Sequence, residues 1–405
     1  MIVMKNYKNY KKNLTILFSM IAIFFTGFPH VWSLYSPYVI RITNWTREQV
    51  SMCFYLALFT FVFGNIVGGR IQDNAKPLRV LAAGGLLQAL GVLLSAYLMI
   101  ANPIPLYLTF GVMQGFGQGM VYAVLLATAQ KWYPKRKGFG SGIVITFNGL
   151  SGLLLTPLSR FFLAADGPQK ALKVIAGLMA IAWAGSILFV RQPEDVQAVQ
   201  NVNGETEKNK KKQYTAKEMV QTKKFYLLVA SMCLALIPYL LISPIAQGIQ
   251  VERGLHKDIA AGGIMIGAAL NALARIVVPA LSDRFGRIYT IRVVYIIMFF
   301  ASGGIIVART NIMFICVVIL FGCYGAVMGS FPSIASSIFG TAHAAENYGY
   351  IMTGVILATG LSPLISALPS SNNGVGGDLF LIVGFACSVL ACICITLLKK
   401  ELSKC

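Results

Sequence analysis

A single arginine, Arg275, lies inside the apolar run G-A-A-L-N-A-L-A-R-I-V-V-P-A-L. Its guanidinium is permanently charged, and its planar fork of N–H donors matches a carboxylate in two parallel hydrogen bonds. The next polar turn begins at Asp283, so about 12 Å of helix separates the two, too far for the side chain to snorkel. A charge near the middle of a bilayer costs at least about 2.5–3.5 kcal/mol, so Arg275 is expected to face a wet cavity and an anionic or polar partner. No acidic residue lies deep in any other apolar run, which makes a substrate anion the expected partner. A structural arginine bonded to backbone carbonyls is the competing reading. Asn271 lies one helical turn earlier on the same face, where its amide can orient the guanidinium or touch the same ligand. Simple helix–helix adhesion is its alternative.

Other apolar runs supply rings with polar tips, the lining a small-ligand cavity needs. Tyr35, Tyr122, Phe147, Tyr324 and Phe331 are the candidates, with Met352 and Val355 as an apolar wall. Each is also a plausible packing residue. A second kind of site repeats along the chain. G-G-R-I-Q-D-N-A-K, ending at Lys76, and L-S-D-R-F-G-R, ending at Arg287, each place an acid (Asp73, Asp283) before a base (Lys76, Arg284 or Arg287). Such pairs can cap a helix N-terminus and latch helix ends together in one state of a moving protein. Ordinary loop charges are the plainer reading.

These residues need a membrane-spanning scaffold. The 405 residues are 57% hydrophobic and only 12% charged, with a mean hydropathy of +0.70, whereas a soluble domain carries about 25% charged residues. Twelve spans are expected, at 14–40, 48–69, 78–100, 104–129, 138–164, 169–190, 224–250, 258–282, 288–308, 310–338, 346–368 and 377–398, each near the roughly 20 residues that cross a bilayer. The first run is too long for the h-region of a signal peptide and reads as a span. With the N-terminus inside, 25 of the 34 Lys and Arg fall in inner segments and eight in outer loops, leaving Arg275 in the membrane. That bias predicts a multi-pass cell-membrane protein with both termini cytoplasmic. It also accounts for the net charge of +20 without nucleic acid as a partner. Glycines at 111, 115, 117 and 119 crowd the fourth span and suit close helix crossings.

The polar segment 192–222, with Lys208 and Lys210 to Lys212, divides the chain into an N-terminal six-helix half (1–191), a cytoplasmic linker (192–222) and a C-terminal six-helix half (223–405). An anionic-lipid contact is the sharper reading of its lysines, a solvated linker the plainer one. The sequence has no G-x-x-x-x-G-K-[ST] loop, no H-E-x-x-H and no C-x-x-C pair. Nucleotide-driven transport, metalloenzyme chemistry and a disulfide framework therefore find no support, and neither enzyme activity, a cofactor nor a metal is expected.

K-W-Y-P-K-R-K-G (Lys131 to Gly138), Thr215-Ala-Lys-Glu-Met with Lys224-Phe225-Tyr226, N-A-L-A-R with S-D-R-F-G-R, and Phe331-Pro332-Ser333 together resemble the oxalate/formate antiporter and monocarboxylate transporter branch of the major facilitator superfamily. The resemblance covers nearly the whole chain. It implies that Arg275 binds a substrate carboxylate, that Asn271 matches the Asn one turn before it in bacterial lactate transporters, and that Tyr122 lines the site. Two departures matter. Oxalate exchangers pair the arginine with a lysine at a position aligned with Val355, and here no Lys or Arg occurs between Arg309 and Lys399. Animal monocarboxylate transporters carry an acid where this chain has Asn271. One cation suits a monoanion, and no proton relay is evident.

The expectation is an all-α membrane protein of twelve helices in two pseudo-symmetric halves, the major facilitator fold. It would act as a monomer among membrane lipids and move a small organic anion of the lactate, pyruvate or formate class by alternating access. Symport with protons and anion exchange both stand. The alternatives are an antiporter of oxalate/formate type or for another organic anion, and a membrane sensor that binds a carboxylate without moving it.

Overall fold

The structure, a computed structural model, describes residues 2–45, 47–74, 77–99, 102–193, 213–307, 310–366 and 378–403. Lys76, the lysines from 208 to 212 and most of the segment 192–222 lie outside the described residues, as does the side chain of Asp73. The described residues form helices and no strand. In hydrocarbon this is the economical solution, because a helix satisfies its own backbone hydrogen bonds. The main elements are α1 (Ile2–Phe25), α2 (Trp32–Thr43), α3 (Arg47–Asn74), α4 (Pro77–Tyr97), α5 (Ile104–Trp132), α6 (Lys137–Phe189), α7 (Lys223–Ile242), α8 (Ala246–Glu252), α9 (Lys257–Phe285), α10 (Arg287–Val307), α11 (Thr310–Phe339), α12 (Ala344–Ile351), α13 (Thr353–Ser366) and α14 (Asp378–Leu402).

Among the described residues ten helices are long and apolar enough to cross a membrane. The fifth and sixth expected spans are the two helices on either side of a kink in α6 at Gly167, with φ +79° and ψ 179°, followed by Pro168. Only a residue without Cβ takes that conformation freely. The first expected span is interrupted: α1 stops at Phe25, a 3-10 turn covers Phe28–Val31 around Pro29, and α2 resumes at Trp32.

The chain divides into two compact units, one of residues 1–216 with 336–350, the other of residues 217–335 with 351–405. In the first, α3 and α5 cross backbone to backbone. A Cβ on Gly64 would lie 2.0 Å from the Phe116 carbonyl oxygen, and one on Gly119 1.9 Å from that of Phe61. This is the use of the glycines in the fourth span: contact that hydrophobic side chains would forbid. Within α5, Tyr107–Gln114 is π-helical, and Thr60 Oγ1 donates to the Gly111 carbonyl at 2.7 Å. The break after α1 is sealed by two buried glutamines: Gln88 Nε2 donates to Phe25 O at 3.1 Å and Gln118 Nε2 to Thr26 O at 2.6 Å. The segment 336–350 belongs to this unit. Gln213 Oε1 accepts from the backbone N–H groups of Thr341 and Ala342, Asn347 Nδ2 donates to Tyr214 O at 2.9 Å, and Arg70 faces Glu346 at 3.9 Å.

In the second unit, α9 and α11 repeat the close crossing. A Cβ on Gly325 would lie 2.1 Å from Asn271 O, and one on Gly329 2.5 Å from Arg275 O. α7 packs on α13 and α14, and α10 on α14. Tyr295 is fully buried and shares a 2.9 Å hydrogen bond with Ser231. After α9, Gly286 turns the chain with φ +95°, and Arg287 opens α10 while donating to Asp283 at 2.8 Å.

The crossings make a testable contrast. Gly119→Ala forces α3 and α5 apart and is expected to lower the midpoint of thermal unfolding in detergent by several degrees, an overpacking cost of about 1–3 kcal/mol. Gly152→Ala, where a Cβ meets nothing within 4 Å, is expected to leave the midpoint unchanged or raised. Equal effects at the two positions would argue against the backbone contact.

Candidate functional site

The second unit brings Arg275 and Asn271 together as their spacing predicts. Arg275 Nε donates to Asn271 Oδ1 at 3.1 Å, and the two residues are 6% and 9% exposed. The Asn271 oxygen is thereby engaged with the guanidinium, so this residue orients the charge. Gly325 and Gly329 bring α11 against the backbone of both residues, which fixes the height and rotation of α9 where the charge departs from it.

Tyr324 follows from the same crossing, since it precedes Gly325 on α11. Its ring stacks on that of Tyr239 from α7, with centroids 3.9 Å apart and planes 21° from parallel, and Phe321 meets Tyr239 edge-on at 4.9 Å. The Tyr239 hydroxyl is hydrogen-bonded to Ser243, and the charge of Arg275 acts on both phenols. The unit therefore contains a buried guanidinium, an amide that holds its plane, and a stacked pair of phenols within its field. This arrangement can bind a planar anionic group at the charge while apolar ring faces limit what else the ligand carries.

Tyr239 was not among the residues expected from sequence. An aromatic residue in an apolar run is usually packing, and only the contact of α7 with α11 gives it a partner. The local signal was indirect. Pro238 precedes it inside α7, and the helix passes into a 3-10 turn at Ser243–Ile245 one turn later.

The remaining candidates of this unit are placed differently. Phe331 and Met352 are fully buried. Val355 is half-buried, just past the interruption at Met352 that separates α12 from α13. At the loop before α10, Asp283 pairs with Arg287, whereas Arg284 lies over the Phe285 ring at 5.4 Å. In the first unit, Tyr122 is 2% exposed and meets Phe61 edge-on at 5.2 Å. Tyr35 is fully buried, stacked beside Trp32, and donates its hydroxyl to Ser159 at 3.1 Å. Phe147 is half-buried on α6. Among the described residues no group of three or more His, Cys, Asp or Glu could hold a metal ion.

Comparison with known proteins adds four findings. Residues 16–363 match the model of the Major Facilitator Superfamily. The chain is 28% identical over 354 residues to the uncharacterized MFS-type transporter YhjX of Escherichia coli, spanning 85% of this chain and 86% of that protein. It is 27% identical over 369 residues to the oxalate:formate antiporter of Oxalobacter formigenes, spanning 89% and 85%. Among solved structures, a bacterial homologue of the iron transporter ferroportin in an outward-facing state superposes with a TM-score of 0.73 at 14% identity, over 96% of this chain and 99% of that one. At that identity the likeness concerns the fold alone.

The Arg275–Asn271 bond predicts a measurable cost. Asn271→Leu leaves a buried, charged N–H without its acceptor, about 1–3 kcal/mol, and is expected to lower the unfolding midpoint by several degrees. Tyr324→Phe keeps the stacked ring and is expected to leave it nearly unchanged. A neutral Asn271→Leu would show that the hydrogen bond contributes nothing.

Proposed function

The chain belongs to the Major Facilitator Superfamily, and on that premise we propose that it is a secondary transporter of a small monocarboxylate of the lactate, pyruvate or formate class. The observation that carries this reading is the buried Arg275 guanidinium, held by Asn271 on α9, in the same unit as the stacked Tyr239–Tyr324 pair. A guanidinium binds a carboxylate through paired, charge-assisted hydrogen bonds. In a site screened from water each such bond is stronger than in solution. The phenol rings cover the apolar remainder of the ligand. Transport follows from alternating access, in which carboxylate binding neutralises the buried charge and lowers the cost of enclosing it. Asp283 with Arg287, and by the internal repeat Asp73 with Lys76, serve as the latches at the helix ends. The membrane orientation expected from the Lys and Arg distribution places both termini in the cytoplasm.

A second reading is exchange of oxalate for formate, favoured by the 27% identity to the oxalate:formate antiporter. The sequence weighs against it. A dianion calls for a second cation, and no Lys or Arg lies between Arg309 and Lys399.

Uptake into proteoliposomes separates these readings. Labelled lactate or formate is expected to enter, with oxalate a poor competitor and a poor counter-substrate. Imposing a pH gradient distinguishes proton symport, which it accelerates, from exchange, which needs internal anion instead. Arg275→Ala is expected to lower uptake at least about thirtyfold, the scale of removing one partner of a buried charge pair. Arg275→Lys is expected to restore little of it, because an ammonium cannot reproduce the fork. Unchanged uptake in Arg275→Ala would remove the central residue from the mechanism.

The ring pair carries its own expectation. Tyr239→Ala removes one face of the stack, and uptake of a branched 2-oxo acid relative to formate is expected to rise about tenfold, the usual scale for side-chain discrimination by an apolar wall. An unchanged ratio would mean that the rings do not set substrate size.

A further inference from the structure

The interruption after α1 ends a helix of 24 residues inside the apolar region. Its last carbonyls are therefore in surroundings where each must find a donor. Ile23 O takes the backbone N–H of Thr26 at 3.0 Å and its hydroxyl at 2.5 Å, and Phe24 O takes Gly27 N at 3.2 Å. Phe25 O and Thr26 O take the amide nitrogens of Gln88 and Gln118. Gln118 Oε1 in turn accepts from Gln114 Nε2 at 3.0 Å, and Asn148 Nδ2 donates to Thr26 Oγ1 at 3.0 Å.

This network determines which end of each amide is oxygen. Turning over Gln88 or Gln118 would set oxygen against a carbonyl oxygen, and turning over Gln114 would set it against Gln118 Oε1. With the nitrogens so committed, Gln88 Oε1 and Gln114 Oε1 are buried acceptors that receive no hydrogen bond from any described group, and both residues are 0% exposed. The two lie on facing turns. A Cβ on Gly117 would be 2.6 Å from Gln88 N, and one on Gly91 2.6 Å from Gln114 N. The two amide atoms of this network left with no partner at all are both oxygens, whereas each amide nitrogen already has an acceptor for one of its two N–H groups. The network also sits at the C-terminal end of α1, where the helix dipole presents a partial negative charge.

Such a node repels an anion and attracts a cation or a water molecule. Neutral amide oxygens, with the second lone pairs of the Phe25 and Thr26 carbonyls at the end of an interrupted helix, form an oxygen-only set of the kind that hard cations take. The set contains no carboxylate, so it suits a single charge better than a double one. We propose that Gln88 and Gln114, with the Phe25 and Thr26 carbonyls and Gln118 Oε1, form a binding site for a small monovalent cation of the sodium class. The site is independent of the carboxylate reading, since none of its residues belongs to the Arg275 cluster.

The test is thermal unfolding of the purified full-length protein in detergent, without carboxylate, titrated with sodium chloride against choline chloride at matched ionic strength. Sodium is expected to give a saturable rise of about 2–5 °C over choline. Gln114→Leu and Gln88→Leu are expected to abolish that increment. Should either fail to fold, Gln114→Glu serves instead: the added charge is expected to move the midpoint of the sodium titration at least about threefold lower. Coincident sodium and choline curves in the wild type would overturn the proposal and leave a bound water as the partner of the two oxygens. A sodium increment that survives both leucine substitutions would overturn it as well, because the ion would then lie elsewhere.

Discussion

The absence of water from the hydrocarbon layer governs this structure. In water a stray carbonyl or amide costs little, because solvent repairs it; in a bilayer each one must be answered by the protein. That rule makes the chain helical, and it also dictates what happens where helices fail. At the end of α1 the rule is met by Gln88 and Gln118, brought from α4 and α5 to the carbonyls of Phe25 and Thr26. At the centre of α9 it is met by Asn271, whose oxygen takes one N–H of the buried Arg275. Both arrangements place polar groups in apolar surroundings at a cost that ordinary packing does not incur.

The close crossings are the mechanical counterpart. Apolar side chains gain little by leaving lipid for one another, so association relies on contact at short range. Gly64 and Gly119 provide it between α3 and α5, and Gly325 and Gly329 between α9 and α11. The second crossing carries more than cohesion. It brings the backbones of Asn271 and Arg275 against α11, so Tyr324 and the guanidinium are positioned by the same contact. A charge on a helix free to rotate could not hold one plane toward a ligand.

Much of this was legible in the sequence because it rests on local rules. Helix length follows from hydropathy, the Arg275–Asn271 pair from a spacing of one turn, and the division of α6 at Gly167 from the gap between the fifth and sixth expected spans. Other features depend on contacts between residues far apart in the chain and leave no local trace. Tyr239 meets Tyr324 across 85 positions. The Tyr35 hydroxyl, which its position in the first span suggests for ligand contact, goes to Ser159, 124 residues away. The glutamines of α4 and α5 read as three unremarked polar residues until the end of α1 gives them carbonyls to cap. Hydropathy made the first span continuous, because Pro29 and Gly27 are common enough in membrane helices to pass as interior residues.

Under the proposed function, the chemistry at Arg275 also explains why an amide, and not an acid, suits the position one turn before it. An aspartate there would meet the guanidinium as a salt bridge, and an incoming anion would have to displace that charge or arrive with a proton to neutralise it. Asn271 fixes the same N–H without neutralising the arginine. With no Lys or Arg between Arg309 and Lys399, the proposed substrate is one that a single guanidinium balances. In that proposal, selection among monocarboxylates falls to groups without charge, and the stacked rings of Tyr239 and Tyr324 supply such a surface in the second unit.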